Sequence, residues 1–224
     1  MHKRKIFFIT ATDTHVGKTI ATQVLGTLLQ AKGLDVGVFK PVQCAGHDAA
    51  FLKKSLRLTD ALELINPCYA PEALSPHLAF RRFRKKVQLK KIKRAYKILK
   101  SRHDVLLIEG AGGLMVPLKD HYYNADLVRD LKAELIIVSR LGLGTINHTL
   151  LTIDQAKAYG LKIKGILFSD ANGKLKTIAE RTSPLEIGRL SGVKVLGTIP
   201  YLKHKTPKEI LQKCRNISGI PSLK

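Results

Sequence analysis

IFFITATDTHVGKT, residues 6–19, passes from an apolar run into a polar loop that ends in Gly17-Lys18-Thr19. Ile6–Thr10 reads as a buried strand, and the helical pattern resumes at Lys18. A glycine-lysine-threonine placed between a strand and a helix suits phosphate. Backbone N–H groups and the positive helix end face the anion, Lys18 adds a charge, and the Thr19 hydroxyl can ligate Mg2+. Counting back by the usual G-x-x-x-x-G-K-[ST] spacing puts Thr12, not glycine, at the head of the loop.

Outward from this segment, short apolar runs alternate with helical stretches. The strands are read as Ile6–Thr10, Val36–Lys40, Val105–Glu109, Leu135–Ser139, Lys164–Phe168 and Val195–Ile199. The helices are read as Lys18–Ala31, Leu89–Arg102, Ala125–Leu131, Thr145–Tyr159 and Pro184–Leu190, the last with Ser183 as N-cap and Glu186 closing a capping box. Strands that are apolar without alternation are covered on both faces. The expected fold is therefore α/β, doubly wound, with a mostly parallel sheet and helices on both faces. Residues 1–224 are read as one domain, with a basic tail from about 203 that carries a terminal helix or nothing regular.

With 45% hydrophobic residues the chain can bury a substantial core, which excludes wholesale disorder. No stretch approaches the roughly 20 apolar residues of a membrane span. The basic start, Met1–Lys5, precedes an apolar run too short for a signal peptide, so a cytoplasmic protein without a membrane partner is expected. Cys44, Cys68 and Cys214 are too scattered for a disulfide framework or a C-x-x-C metal site. The 39 Lys and Arg exceed the 17 Asp and Glu by 22. The densest run is Arg81–Arg102, where Leu89, Ile92, Tyr96 and Leu99 fall at helical spacing, so it reads as a surface helix with a solvated basic face. No nucleic-acid recognition motif accompanies the charge, and nucleic acid is not an expected partner.

Ligands of such folds collect at the carboxyl ends of the strands. The third strand ends at Glu109 and runs into Gly110-Ala-Gly-Gly113, a carboxylate suited to holding Mg2+ or orienting water beside the phosphates. The second strand ends at Lys40, a candidate for stabilising developing negative charge. Asp48, eight residues on, reads equally as a metal ligand or as the N-cap of a helix over 49–55.

Together these pieces resemble dethiobiotin synthetase, a P-loop NTPase-like family whose loop, G-T-x-T-x-x-G-K-T, is one residue longer than the usual pattern. Here it stands as Ala11-Thr-Asp-Thr-His-Val-Gly-Lys-Thr19, with the first glycine replaced. Lys40-Pro-Val-Gln43, Asp48-Ala49, Asn66-Pro67, Ser75-Pro-His77, Glu109–Gly113 with Pro117, Gly144-Thr-Ile-Asn-His148 and Gly197-Thr-Ile-Pro200 follow in order, and the resemblance spans roughly residues 6–202. It implies an ATP- and Mg2+-dependent closure of a ureido ring from 7,8-diaminononanoate and CO2. Lys18, Lys40 and Thr14 would be catalytic, and Thr19, Asp48 and Glu109 would hold the metal. Asp13, His15, Val16, Gly17, Lys18, Thr19, Ile20, Ser169 and Pro200 would bind the nucleotide. Cys44, Gly112, Gly144, Thr145, Ile146 and Asn147 would bind the substrate, the last four reaching it from the partner subunit of a homodimer.

Three departures carry expectations. Ala11 lacks glycine's freedom at positive φ, so the start of the loop is accommodated differently or activity falls. Cys44 replaces a hydroxyl residue with a poor hydrogen-bond partner. Ser169 stands where the family carries an adenine-reading asparagine, so other nucleoside triphosphates are expected to be accepted. Three rival readings stand beside this one, the first a nucleic-acid-binding module, which would retain DNA at low salt without sequence preference and release it at moderate salt. A partitioning-type ATPase, a nucleotide-switched binding protein, would carry a second lysine early in the loop, where this chain has Asp13. A cobyrinate-type amidoligase would need a glutaminase domain.

Overall fold

The computed structural model describes residues 4–171, 173 and 177–217; the first three residues of the basic start, residues 172 and 174–176, and the end of the tail lie outside it. In chain order the elements are β1 (Lys5–Ala11), α1 (Lys18–Gln30), β2 (Val36–Phe39), β3 (Val42–Cys44), α2 (Asp48–Ser55), α3 (Leu62–Ile65), β4 (Cys68–Ala70), α4 (Pro76–Arg82) and α5 (Leu89–Arg102). Then come β5 (Val105–Gly113), β6 (Pro117–Lys119), β7 (Tyr122–Tyr123), α6 (Asn124–Leu131), β8 (Glu134–Arg140), α7 (Thr145–Ala158), β9 (Ile163–Ser169), α8 (Ile178–Ser191), β10 (Val195–Ile199) and α9 (Pro207–Lys213).

Six parallel strands form the main sheet in the order β10-β9-β8-β1-β5-β2. Successive residues of each strand enter opposite layers, which explains the unbroken apolar runs. Phe7, Ile9 and Ala11 of β1 join α1 and α2 in one core, while Phe8 joins α5, α6 and α7 in the other. β5 divides in the same way, with Val105 and Leu107 on one side and Leu106 and Ile108 on the other. The chain leaves β1 toward β2 on one side of the sheet and returns through β8 on the other. The carboxyl end of β1 is therefore the switch point where ligands collect in such sheets.

Five of the six main strands and four of the five helices lie where the sequence placed them, to within two residues at each end; β5 begins at Val105 as expected but runs four residues past Glu109, to Gly113. The fifth helix is a correction. α8 starts at Ile178, and its capping box joins Thr177 to Glu180 rather than Ser183 to Glu186. The Ser183 hydroxyl donates to the Ala179 carbonyl at 2.5 Å, and Glu186 is committed to Arg189. Pro184 sits inside the helix and leaves the Glu180 carbonyl without its N–H. After residue 203 the chain forms α9, which packs on α1 with Ile210 buried.

Candidate active site

β1 delivers the loop directly into the switch point. Ala11 closes the strand in extended conformation, paired with Gly113 on one side and Val138 on the other. The left-handed conformations fall instead on His15 (φ 57°) and Gly17 (φ 104°), so alanine at position 11 strains nothing and the start of the loop is accommodated without a glycine there. Gly17 is irreplaceable on two counts: its φ, and a Cβ there would lie 2.6 Å from the Ser169 hydroxyl. Asp13 caps its own loop, accepting from the Thr14 N–H at 2.7 Å.

Behind the loop lies a buried ionic array. Glu109, at the end of β5, has no exposed surface. Its Oε1 accepts from Lys40 Nζ at 2.5 Å and from the Thr19 hydroxyl at 2.9 Å, and its Oε2 accepts from the Thr22 hydroxyl at 3.1 Å. Lys40 also donates to Asp48 at 3.0 Å. Burial opposes the Lys40 charge, but Glu109 and Asp48 outweigh it and hold the ammonium above the ordinary lysine value. Lys18 has no such partner. Its Nζ bends to the Asp13 carbonyl at 3.3 Å, and burial, then repulsion from Lys40, pulls its pKa down to about 8.

Asp48 is the first residue of α2, and its carboxylate serves Lys40 rather than the helix N-terminus. The capping role falls to Gln43, whose side-chain oxygen accepts from the Ala49 N–H at 3.0 Å while its amide holds the Ala45 and Gly46 carbonyls. Burial pushes the Cys44 thiol up to about 11, so it meets the cavity as a neutral group.

A cavity of about 630 Å3 opens over this array. Of the residues expected from sequence, Thr14, His15, Gly17, Lys18, Thr19, Ile20, Lys40, Cys44, Asp48, Glu109 and Gly112 line it. Ala73–Pro76 and Val116 form walls that sequence reasoning did not assign to the site. Asp13, Val16, Ser169 and Pro200 do not line it, and Ser169 lies against the loop at Gly17. Gly144, Thr145, Ile146 and Asn147, at the start of α7, also stand apart from it. The Thr145 hydroxyl is spent in a buried network with Ser139 (2.9 Å) and the Arg140 carbonyl (2.6 Å). Thr22, Gln43 and Asn124 were not singled out as site residues; Asn124 donates to the Ala111 and Gly113 carbonyls and shapes the glycine turn after Glu109.

The oxygen donors suit a hard cation. The Thr19 hydroxyl donates to Glu109 Oε1 at 2.9 Å, so two hard oxygen donors meet beside the loop. Among the described residues no three His, Cys, Asp or Glu side chains form a metal cage.

A family model described as an AAA domain matches residues 5–209. The chain is 36% identical over 207 residues to an ATP-dependent dethiobiotin synthetase of Nitrosopumilus maritimus, covering 89% of this chain and 90% of that one. It is 38% identical over 226 residues to another from Bacillus cereus, covering 97% and 92%. Among solved structures, the septum site-determining protein MinD with Mg-ADP from Pyrococcus horikoshii superposes with a TM-score of 0.62 at 17% identity, over 99% of this chain and 93% of that one. A ParA family ATPase from Chlorobium tepidum gives 0.60 at 16%, over 100% and 98%. At such identities these two establish the fold alone.

Proposed function

The chain belongs to the ATP-dependent dethiobiotin synthetase family, and from that premise we propose how its own residues carry the reaction. It is a ligase of biotin biosynthesis that takes 7,8-diaminononanoate, CO2 and ATP to dethiobiotin, ADP and phosphate. One amine adds to CO2 to form a carbamate. The carbamate oxygen takes the γ-phosphoryl group, and the second amine then attacks the carbonyl carbon and expels phosphate.

The observation that carries the assignment of roles is the array Lys18, Thr19, Lys40, Asp48 and Glu109 at one end of a single cavity. Carbamate and triphosphate crowd negative charges together, and fixed cations aimed at that charge stabilise its redistribution. Lys40, held protonated by two carboxylates, keeps its charge at every working pH. Lys18 faces the phosphates from the head of α1, and Thr14 hydrogen-bonds the carbamate or phosphate. Thr19, Asp48 and Glu109 would hold Mg2+, which supplies neutralising charge to the phosphates. Cys44 and Gly112 line the same cavity and would contact the diamine.

The start of α7 reaches the substrate from a second copy. Gly144–Asn147 open a helix suited to a carboxylate but do not line the cavity of their own chain. The flanking Leu143 and Leu151 are 90% and 60% exposed, as apolar residues awaiting a partner would be. The chain acts as one domain in the cytoplasm, a setting that suits its three free cysteines. Among the described residues no helix is long and apolar enough to cross a membrane.

The test is incorporation of radiolabelled bicarbonate into dethiobiotin by the purified protein with diaminononanoate, ATP and Mg2+. Incorporation that depends on all three is expected; label fixed without ATP, or none at all, would overturn the reading.

A further inference from the structure

The ring-closing chemistry uses two lysines and leaves the largest concentration of charge in the molecule without work. Between Arg81 and Arg102 stand 12 Lys and Arg and no Asp or Glu, so more than half of the formal excess of 22 sits in under a tenth of the chain. On α5, Ile92, Ala95, Tyr96 and Leu99 are buried, and Lys90, Arg94 and Lys97 project from the opposite side at i, i+4 and i+7. Arg82, Lys93 and Arg102 pair with Glu72, Asp130 and Asp60 at the margins of this face. The other nine cations of the stretch are exposed and have no ion pair among the described residues. None of them lines the cavity. Like charges three and four residues apart repel along a helix, so the face works against α5 itself unless an anion covers it.

Against the expectation of a merely solvated basic face, we propose that the outward face of α5, with the Arg84-Lys85-Lys86 segment leading into it, binds the sugar-phosphate backbone of nucleic acid without reading its sequence. α5 spans about 21 Å, a length over which duplex DNA presents about a dozen charges. Lysine and arginine suffice to hold such a backbone, and no base-reading motif accompanies them, so the contact is blind to sequence. A membrane surface fits less well. A helix lying on a bilayer needs a free apolar face, and that of α5 is consumed by the core. Phe83, the one exposed large apolar side chain of the stretch, is a poor bilayer anchor but can stack on a base.

The test is fluorescence anisotropy of a labelled 20-base-pair duplex titrated with the full chain between 50 and 300 mM salt. Binding should be independent of sequence, with log K falling linearly against log salt at a slope of about −4 or steeper. The K90E/R94E/K97E variant should flatten that slope by about 3 and weaken binding at least tenfold at 100 mM salt. Reversing three exposed lysines elsewhere, K32E/K54E/K208E, should change the slope by less than about 1. Ring closure should be unchanged in both variants, which keeps this outcome separate from the enzymatic reading. The proposal is overturned by equal losses in the two variants, by absence of binding at 50 mM salt, or by binding to phosphatidylserine vesicles in place of the duplex.

Discussion

Lys40 joins two carboxylates that would otherwise repel each other, so its loss acts on the fold as well as on the chemistry. Lys40→Ala should lower kcat about 10²–10³-fold and, by stranding the buried Glu109, destabilise the protein by about 3–5 kcal/mol. Adding Glu109→Gln should recover most of the stability and none of the activity; denaturant midpoints and turnover measured on the same preparations separate the two effects. At the far edge of the sheet, Asp60 is buried beside Arg102 and His103, each 2.8 Å away. Burial raises its pKa, but the hydrogen bonds with Arg102 and His103 outweigh burial and hold the carboxyl below its usual value. As pH falls, the unfolded chain therefore takes up the proton first. The contribution of Asp60 is complete above about pH 4 and lost as pH drops through the lower folded-state value. Asp60→Asn should cost about 2 kcal/mol at pH 7, and its urea midpoint should converge on that of the parent below pH 4. Lys40 and Glu109 were legible as site residues because strand ends deliver them. Thr22 and Asn124 were not, because each acts on a group that only tertiary folding brings near; Gln43 was not, because a glutamine that closes a local turn and caps the next helix leaves no recognisable pattern.

At the scale of elements, α5 gives the cleanest test of surface charge. Arg94 stands among Lys90, Lys91 and Lys97, and Arg94→Glu turns three repulsions into attractions, a swing of about 0.4–1 kcal/mol per pair before screening by solvent. A gain near 1 kcal/mol in thermal stability at low salt is expected, shrinking in 0.5 M salt; an unchanged melting temperature at low salt would mean that these cations are too well solvated to feel one another. α8 shows where local signals mislead. Thr177-x-x-Glu180 and Ser183-x-x-Glu186 are both capping frames, and Pro184 favours the second because proline suits a first turn. The structure keeps the first frame and tolerates the proline inside, with Ile187 buried in the core. The main strands were legible because burial on both faces leaves an unbroken apolar run. β3, β4, β6 and β7 span only two or three residues each, too few to show any period.

For the whole molecule, the proposed sharing of a site between two copies can be tested by complementation. Lys18→Ala should be inactive without being destabilised, since burial and Lys40 already oppose its charge. Asn147→Ala should weaken diaminononanoate binding more than ATP binding. Mixed dimers of the two variants hold one composite site with neither change, so they should regain up to about half of the parental activity per hybrid dimer; hybrids that form and stay inactive would refute the sharing.

The order of the sheet also sets a schedule for the growing chain. β1 carries the phosphate loop, yet its neighbours are β5 and β8, with Lys5 opposite Val105 and Phe7 opposite Glu134. At about 5–20 residues per second, the first of these partners leaves the ribosome roughly 5–20 seconds after β1 does. Over that interval Phe7, Phe8 and Ile9 are apolar, unpaired and available to chaperones or to other nascent chains. Translation halted before Val105 should therefore yield a product that aggregates, while the chain carried through β10 should not.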